Sequence, residues 1–391
     1  MLFGISDVVV QTTVTSRVFV ALSGGVDSSV AASLLMERGF VVHGVFIKTW
    51  QISGVPCNAA EDRRDAMRVA AKLGIPFHAF DLSDEYKGSV VDYMVREYAA
   101  GRTPNPDVMC NKEIKFGAFF HRAREMGAEY VATGHYARLG REFQISKDQF
   151  PNKFQNPKPK TKNETVTLLR AKDHNKDQTY FLWMLGQEAL SRTLFPIGDY
   201  LKSEVREMAR ERGLITADKR DSQGICFLGK IDVRAFLAER LGVEEGSVLH
   251  ARSGALIGSH AGAALYTLGQ RHGFRVESET PRSEPLYVVS RDVARNTITV
   301  APRVAAFAAP CAQSEIDVGS CNWIGEPPEP GGAYLGRIRH RGEFMRCRVE
   351  PLESDDASRM RVTFEAPLLA ASGQSLVLYE GERVVGGGVI E

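Results

Sequence analysis

The sequence has no dominant charge, no long apolar run and no clustered cysteines. Forty-nine Lys and Arg stand against 48 Asp and Glu, a formal net charge of +1. That excludes a basic field over the whole molecule, so any RNA contact must come from local patches. No run reaches the roughly 18 apolar residues that a membrane-spanning helix needs, and no membrane partner is expected. The segment Met1–Arg17 holds Asp7, a single Arg and no long apolar core. It fits neither a secretory signal nor a transit peptide, and a cytoplasmic protein is expected. The six cysteines (Cys57, Cys110, Cys226, Cys311, Cys321, Cys347) stand singly, with no Cys-x-x-Cys pair. In such a chain this argues for reduced thiols and against a zinc site or disulfide framework. No Gly-Lys-Ser/Thr loop is present, which excludes a Walker A grip on a γ-phosphate. There is no internal repeat.

What is present fills two or three domains. The chain has 391 residues, 43% hydrophobic and 25% charged, ordinary values for a soluble globular protein. Apolar β-branched runs at 18–22, 41–47, 77–82 and 130–133 alternate with helical patterns near 30–38, 62–73, 84–100 and 115–126. That alternation predicts a doubly wound α/β parallel sheet. The stretch Lys147–Asn163 holds five Lys, three Pro and three Asn and reads as a surface insertion. Beyond about Ser247 the texture changes. Short runs at 264–268, 285–289, 297–300, 334–341, 346–349, 361–364 and 375–379 lie between turn residues, so the last third is β-rich and a small barrel is expected.

The strongest local signal is Val18–Leu22 running into Ser23-Gly-Gly-Val-Asp-Ser-Ser29 and then a helix. Gly24 and Gly25 allow a tight turn that brings backbone N–H groups against an anion. Ser23, Ser28 and Ser29 add hydroxyls, and the helix presents its positive end. The loop resembles the pyrophosphate (PP) loop of the ATP pyrophosphatase superfamily, whose members cleave ATP between the α- and β-phosphates and leave an adenylated intermediate.

Five further motifs occur in order: Gly101-Arg-Thr-Pro-Asn-Pro-Asp-Val-Met-Cys-Asn-Lys112, Ala132-Thr-Gly-His-Tyr136, Asn175-Lys-Asp-Gln178, Asp221-Ser-Gln-Gly-Ile-Cys-Phe227 and Tyr266-Thr-Leu-Gly-Gln-Arg271. With the loop, they resemble the MnmA family of tRNA-specific 2-thiouridylases from about Val18 to the end of the chain. The resemblance implies an adenylating domain over 1–217, a central domain over 218–283 with Cys226 at its start, and a tRNA-binding β-barrel over 284–391. It implies ATP on Ala21, Leu22, Ser23, Gly24, Gly25, Val26, Asp27 and Ser28, with Ile47 and Gly134, and Mg2+ to help pyrophosphate leave. Cys226 would carry a persulfide, Cys110 would be its partner, and Asp107 would act as acid/base or orienting group. The tRNA would meet Asn105, Pro106, Asp107, His135, Lys176, Asp177, Gln178, Arg339, His340 and Gln374. A sulfur-donor protein, either a relay protein or a cysteine desulfurase, would be a further partner.

The chemistry supports the same residues independently. Thiolation at C2 of uracil must turn a carbonyl oxygen into a leaving group, which adenylation does. Sulfur must then arrive as a nucleophile, and the thiolate is cysteine's reactive form. A second cysteine can release the sulfur by closing a disulfide. Asp107, Cys110 and Cys226 could instead ligate an iron–sulfur cluster, and the residues alone leave both open. Arg337, Arg339 and Arg341 alternate with Ile338 and His340, and a strand there would put three guanidinium groups on one face. Two other classes share the loop: an adenylating amide ligase, which needs no paired cysteines, and a non-catalytic RNA-binding protein.

Overall fold

A computed structural model describes residues 16–52, 58–141, 165–221, 232–277, 284–302, 312–353 and 356–391. The insertion Lys147–Asn163, Cys57, Cys226 and Cys311 lie outside the described residues. In the first sheet, β1 (Arg17–Ala21), β2 (Val41–Lys48), β3 (Phe77–Asp81), β4 (Tyr130–Ala132) and β7 (Thr193–Leu194) lie in the order β3-β2-β1-β4-β7. All four pairings are parallel. The central strand β1 is wholly apolar and buried from Val18 to Val20, as a strand covered on both faces should be. The helix α1 (Val26–Glu37) follows β1, and α2 (Ala59–Leu73) follows β2, ending on Gly74 at φ 66. Strand order reverses between β1 and β4. In open α/β sheets that reversal opens the crevice where ligands bind, beyond the carboxyl ends of the strands.

A helical run over 83–99 and another over 106–125 cover one face of the sheet, each with a π-helical stretch, Lys87–Val91 and Cys110–Ala118. The second run is shared between layers. Cys110, Ile114, Phe119 and Phe120 pack in one core with Phe236, Leu237, Val248 and Tyr266 of the middle of the chain. Val108 and Phe116 pack in another with Trp183, Val377 and Tyr379. The helix that carries Cys110 is therefore a wall common to all three parts of the molecule.

The middle sheet joins β8 (Gly246–His250), β9 (Leu256–His260), β10 (Phe274–Val276), β11 (Leu286–Asp292) and β12 (Thr297–Pro302) in the order β10-β9-β8-β12-β11. The expected division at 283/284 falls between β10 and β11, so β11 and β12 belong with the middle part. The expected strand at 264–268 is instead a single helical turn, Ala263–Leu265, followed by turns. The last part is a closed six-stranded barrel. Strands β13 (Gln313–Trp323), β14 (Ala333–Arg337), β15 (Met345–Glu353), β16 (Asp356–Leu368), β17 (Ser375–Glu380) and β18 (Arg383–Ile390) run β13-β16-β15-β14-β17-β18, and β13 pairs with β18 to close the ring. A hairpin of β5 (Arg138–Arg141) and β6 (Val166–Leu169) joins it through β18.

Candidate functional site

The crevice at the reversal is built by glycines. Gly24 sits at φ 74, a left-handed conformation that favours glycine, and a Cβ there would lie 2.3 Å from the Asp62 carbonyl oxygen at the start of α2. Gly134, just past β4, lies so close that a Cβ would meet the Ser28 amide nitrogen at 2.6 Å. Gly25 is the N-cap of α1 and offers no side chain to its first-turn amides. Those amides are left for an anion at the positive end of a twelve-residue helix. Serines hold the loop's shape: the Ser23 amide donates to Ser28 Oγ at 3.2 Å, and Ser29 Oγ donates to the Gly25 carbonyl at 2.7 Å. The Thr216 hydroxyl braces Ser29 at 3.0 Å. Ala21 closes β1, the Leu22 amide donates to Val45 O, Val26 is buried, and Ile47 is buried near the end of β2. The residues expected to carry ATP are thus contiguous around one crevice.

Asp27 opens a charged network that the sequence did not single out. The Tyr136 hydroxyl donates to Asp27 Oδ1 at 2.9 Å, and Lys202 Nζ reaches both carboxylate oxygens at 2.7 and 2.8 Å. The same ammonium pairs with Asp221 at 2.8 Å, where Lys176 (2.7 Å) and Arg206 (2.8 Å) also converge. Burial opposes ionisation of Asp221, but the Lys176 and Lys202 ammoniums outweigh it and hold the carboxyl at about 2. Burial, reinforced by the Asp27 charge and hydrogen bond, pushes the Tyr136 phenol upward, so it stays a donor. Tyr136 and Asp221 stood within quoted motifs, but nothing in the sequence marks Lys202.

The expected tRNA residues have varied surroundings. Asn105 caps the helical run by accepting from the Val108 amide at 3.4 Å, with Pro106 in the first turn. Asp107 and Cys110 are three apart on that helix and so share a side, with Cys110 fully buried. Gln374 donates to the carbonyls of Thr103 and Pro104 at 2.9 and 3.1 Å, fastening this loop to the barrel. His135 is buried, bonded to Thr133 Oγ1 at 2.6 Å, with Lys115 Nζ at 3.3 Å. Burial first and Lys115 second hold it well below its ordinary pKa, so the ring is neutral. Asp177 is buried and accepts from the Ala171 amide and the Thr179 hydroxyl, with Arg170 and Arg337 each 3.7 Å away. Gln178 exchanges hydrogen bonds with the Tyr136 backbone. Lys176 belongs to the charged network.

The basic strand is overturned. Strand β14 ends at Arg337, and residues 338–341 form a turn with Arg341 at φ 58. Arg337 is buried 3.9 Å from the Phe344 ring. Arg339 donates to the Leu268 carbonyl at 2.7 Å, tying the Tyr266–Arg271 motif to the barrel, while Arg341 is exposed. The His340 ring packs 4.5 Å from Phe181, and burial, with Arg341 and Arg337, lowers its pKa to about 4. Three guanidiniums on one face do not form.

Comparison with known proteins decides the family. The family model described as tRNA methyl transferase HUP domain matches residues 16–230. The tRNA methyl transferase PRC-barrel domain matches 234–302, and the aminomethyltransferase beta-barrel domain matches 313–390. The tRNA-specific 2-thiouridylase MnmA of Stenotrophomonas maltophilia (strain R551-3) is 43% identical over 381 residues, covering 96% of this chain and 93% of the relative. The chain belongs to the MnmA family of tRNA-specific 2-thiouridylases. MnmA of Shewanella halifaxensis is 41% identical over 386 residues, covering 96% of each chain, and MnmA 2 of Geobacillus kaustophilus is 42% identical over 382. The MnmA relatives extend over all three parts of the molecule, and the three matched domains follow its three sheets except at β5 and β6, which lie in the first match and pair with the barrel. Among the described residues no helix is long and apolar enough to cross a membrane.

Proposed function

We propose that this chain converts a tRNA wobble uridine to 2-thiouridine in the cytoplasm, adenylating the base with ATP at the β1–α1 loop and delivering sulfur through Cys226 and Cys110. The crevice carries the first half of this reading, because Gly24 and Gly134 let the loop close tightly against α2 and β4, and α1 begins uncapped behind Gly25. Family membership carries the second half and favours thiolation over an amide ligase. The uridine O2 attacks the α-phosphorus, the bond to pyrophosphate breaks, and the N3 proton is lost. Asp27, whose two oxygens pair with Lys202, is the loop carboxylate that would hold magnesium, which would supply charge to offset that of the departing pyrophosphate.

The outer sulfur of a Cys226 persulfide, loaded by a sulfur-donor protein, then bonds to C2. A Cys110 thiolate attacks the Cys226 sulfur, their S–S bond forms, and the bond to the transferred sulfur breaks. AMP leaves as the thiocarbonyl closes, and an external thiol must reduce the disulfide before the next cycle. Asp107, on the same side of the helix as Cys110, orients the base or moves its proton. The tRNA anticodon loop would approach across the Asn105–Asp107 turn, with the 176–178 segment and the turn carrying Arg339 and His340 on either side.

The test is a single turnover without reductant followed by peptide mapping, which should find a Cys110–Cys226 disulfide. Cys226→Ser should still release pyrophosphate with tRNA but form no thiouridine. Activity that tracks a bound iron–sulfur cluster, with no disulfide on turnover, would establish the cluster reading instead.

A further inference from the structure

We propose that Lys202 is the residue that grips the ATP phosphates beyond the α-phosphate, passing to them from Asp27, while Asp221 serves as its second anchor. The assignment rests on the adenylation reading above and goes beyond it by naming a ligand that no loop motif contains. Lys202 is the first residue of the helix Lys202–Glu211, whose Val205 and Ala209 pack against Val26, Val30 and Leu34 of α1. Its backbone amide donates to Asp173 at 2.9 Å. The base of the side chain is thereby fixed relative to the crevice, and the side chain is only 12% exposed.

That ammonium touches both oxygens of Asp27 and one of Asp221. Asp27 lies in the first turn of α1, where a polyphosphate on the loop amides would meet a carboxylate of its own sign. Asp221 keeps Lys176 and Arg206 if Lys202 turns away, and Asp27 keeps the Tyr136 hydroxyl. Lys202 can therefore exchange one anion for another without stranding either carboxylate. An ammonium on a flexible four-carbon stem, with three donors in no fixed plane, suits that exchange better than a guanidinium fork.

The experiment is calorimetric titration of Lys202→Gln with ATP and separately with AMP, which lacks the outer phosphates. Lys176, Arg206 and the Tyr136 hydroxyl still serve the two carboxylates in this variant, so the crevice is retained while the Lys202 charge is lost. We expect the ATP Kd to rise at least tenfold and the AMP Kd to change less than threefold. Equal weakening of both nucleotides would overturn the assignment and make Lys202 a scaffold residue. Lys202→Arg, which keeps the charge, should retain more of the preference for ATP over AMP than Lys202→Gln does, and an equal loss in the two variants would also overturn it. In the double variant Lys202→Gln/Asp27→Asn, titrated without magnesium so that Asp27 acts only through its own charge, ATP binding should stay weak. Recovery would show that Lys202 only cancels the Asp27 charge. Wild-type protein that binds no ATP would overturn the adenylation reading itself, and this assignment with it.

Discussion

Gly134→Ala should disable adenylation while leaving the fold and tRNA affinity in place. The added Cβ would stand 2.6 Å from the Ser28 nitrogen, 2.8 Å from the Asp27 carbonyl carbon and 3.1 Å from Asp27 Cβ. Ordinary contact starts near 3.4 Å, so something must retreat by about 0.8 Å. Neither side yields easily. Val30, Ala31 and Ala32 of α1 are completely buried, and β4 is pinned between β1 and β7. Overpacking of this kind costs about 1–3 kcal/mol, which a chain of this size survives. The larger effect is on geometry, because displacing a positioning group by close to 1 Å costs on the order of 100-fold in rate. The assay is tRNA-dependent pyrophosphate release against ATP concentration, with tRNA affinity measured in parallel. Gly88→Ala is the control, since nothing lies within 4 Å of a Cβ there. A Gly134→Ala enzyme with wild-type kcat/KM for ATP would refute the claim that β4 and the α1 loop clasp the nucleotide.

Two further outcomes separate roles by different measurements. The Asp221 carboxyl is depressed from 3.8 to about 2, so its stabilising contribution is present above pH 3.8 and is lost as pH falls toward 2. Allowing for its partial exposure, Asp221→Asn should cost about 1 kcal/mol near neutral pH. Urea titrations should show that gap closing through this acid window, and a gap independent of pH would refute the pairing. Arg339→Ala strands the Leu268 carbonyl and should destabilise by about 1–3 kcal/mol in urea. Arg341→Ala should leave stability alone and lower the log–log salt slope of tRNA binding by about 0.7–0.9. The reverse pattern would mean that Arg339 faces the RNA and Arg341 does not.

Legibility followed how local the determining physics was. The strands 18–22, 41–47 and 77–82 were readable because burial on both faces demands continuous apolar runs, and the structure places β1, β2 and β3 within one residue of them. The helix expected near 115 begins at Pro106, with an α-helical turn to Met109 and a π-wound stretch from Cys110, and its residues pack on neighbours distant in sequence that no local pattern announces. The apolar run 264–268 is no strand, since Tyr266 and Leu265 fill the core between layers and not a sheet face. Strands β8, β9, β13 and β18 went unread: they mix glycine and polar residues with apolar ones, which blurs period-2 alternation.

The site divides along the same line. The loop could be read because turning tightly around an anion needs glycine at fixed spacing, and Gly24 does adopt the conformation that needs it. The arginine ladder failed for a complementary reason. Alternation places side chains on one face only while the backbone stays extended, and at 338–341 it turns, sending Arg337 inward, Arg339 to a carbonyl and Arg341 to solvent. Lys202 was illegible because nothing about one lysine at the head of an amphipathic helix distinguishes it from a solvated one. Its meaning arises when α1 and the helix Lys202–Glu211, remote in sequence, pack side by side and bring Asp27 to the ammonium at 2.7 Å. A phosphate loop that supplies only amides and hydroxyls, with no lysine of its own, must take its cation from elsewhere in the fold, and Lys202 is the ammonium that the packing delivers to its carboxylate.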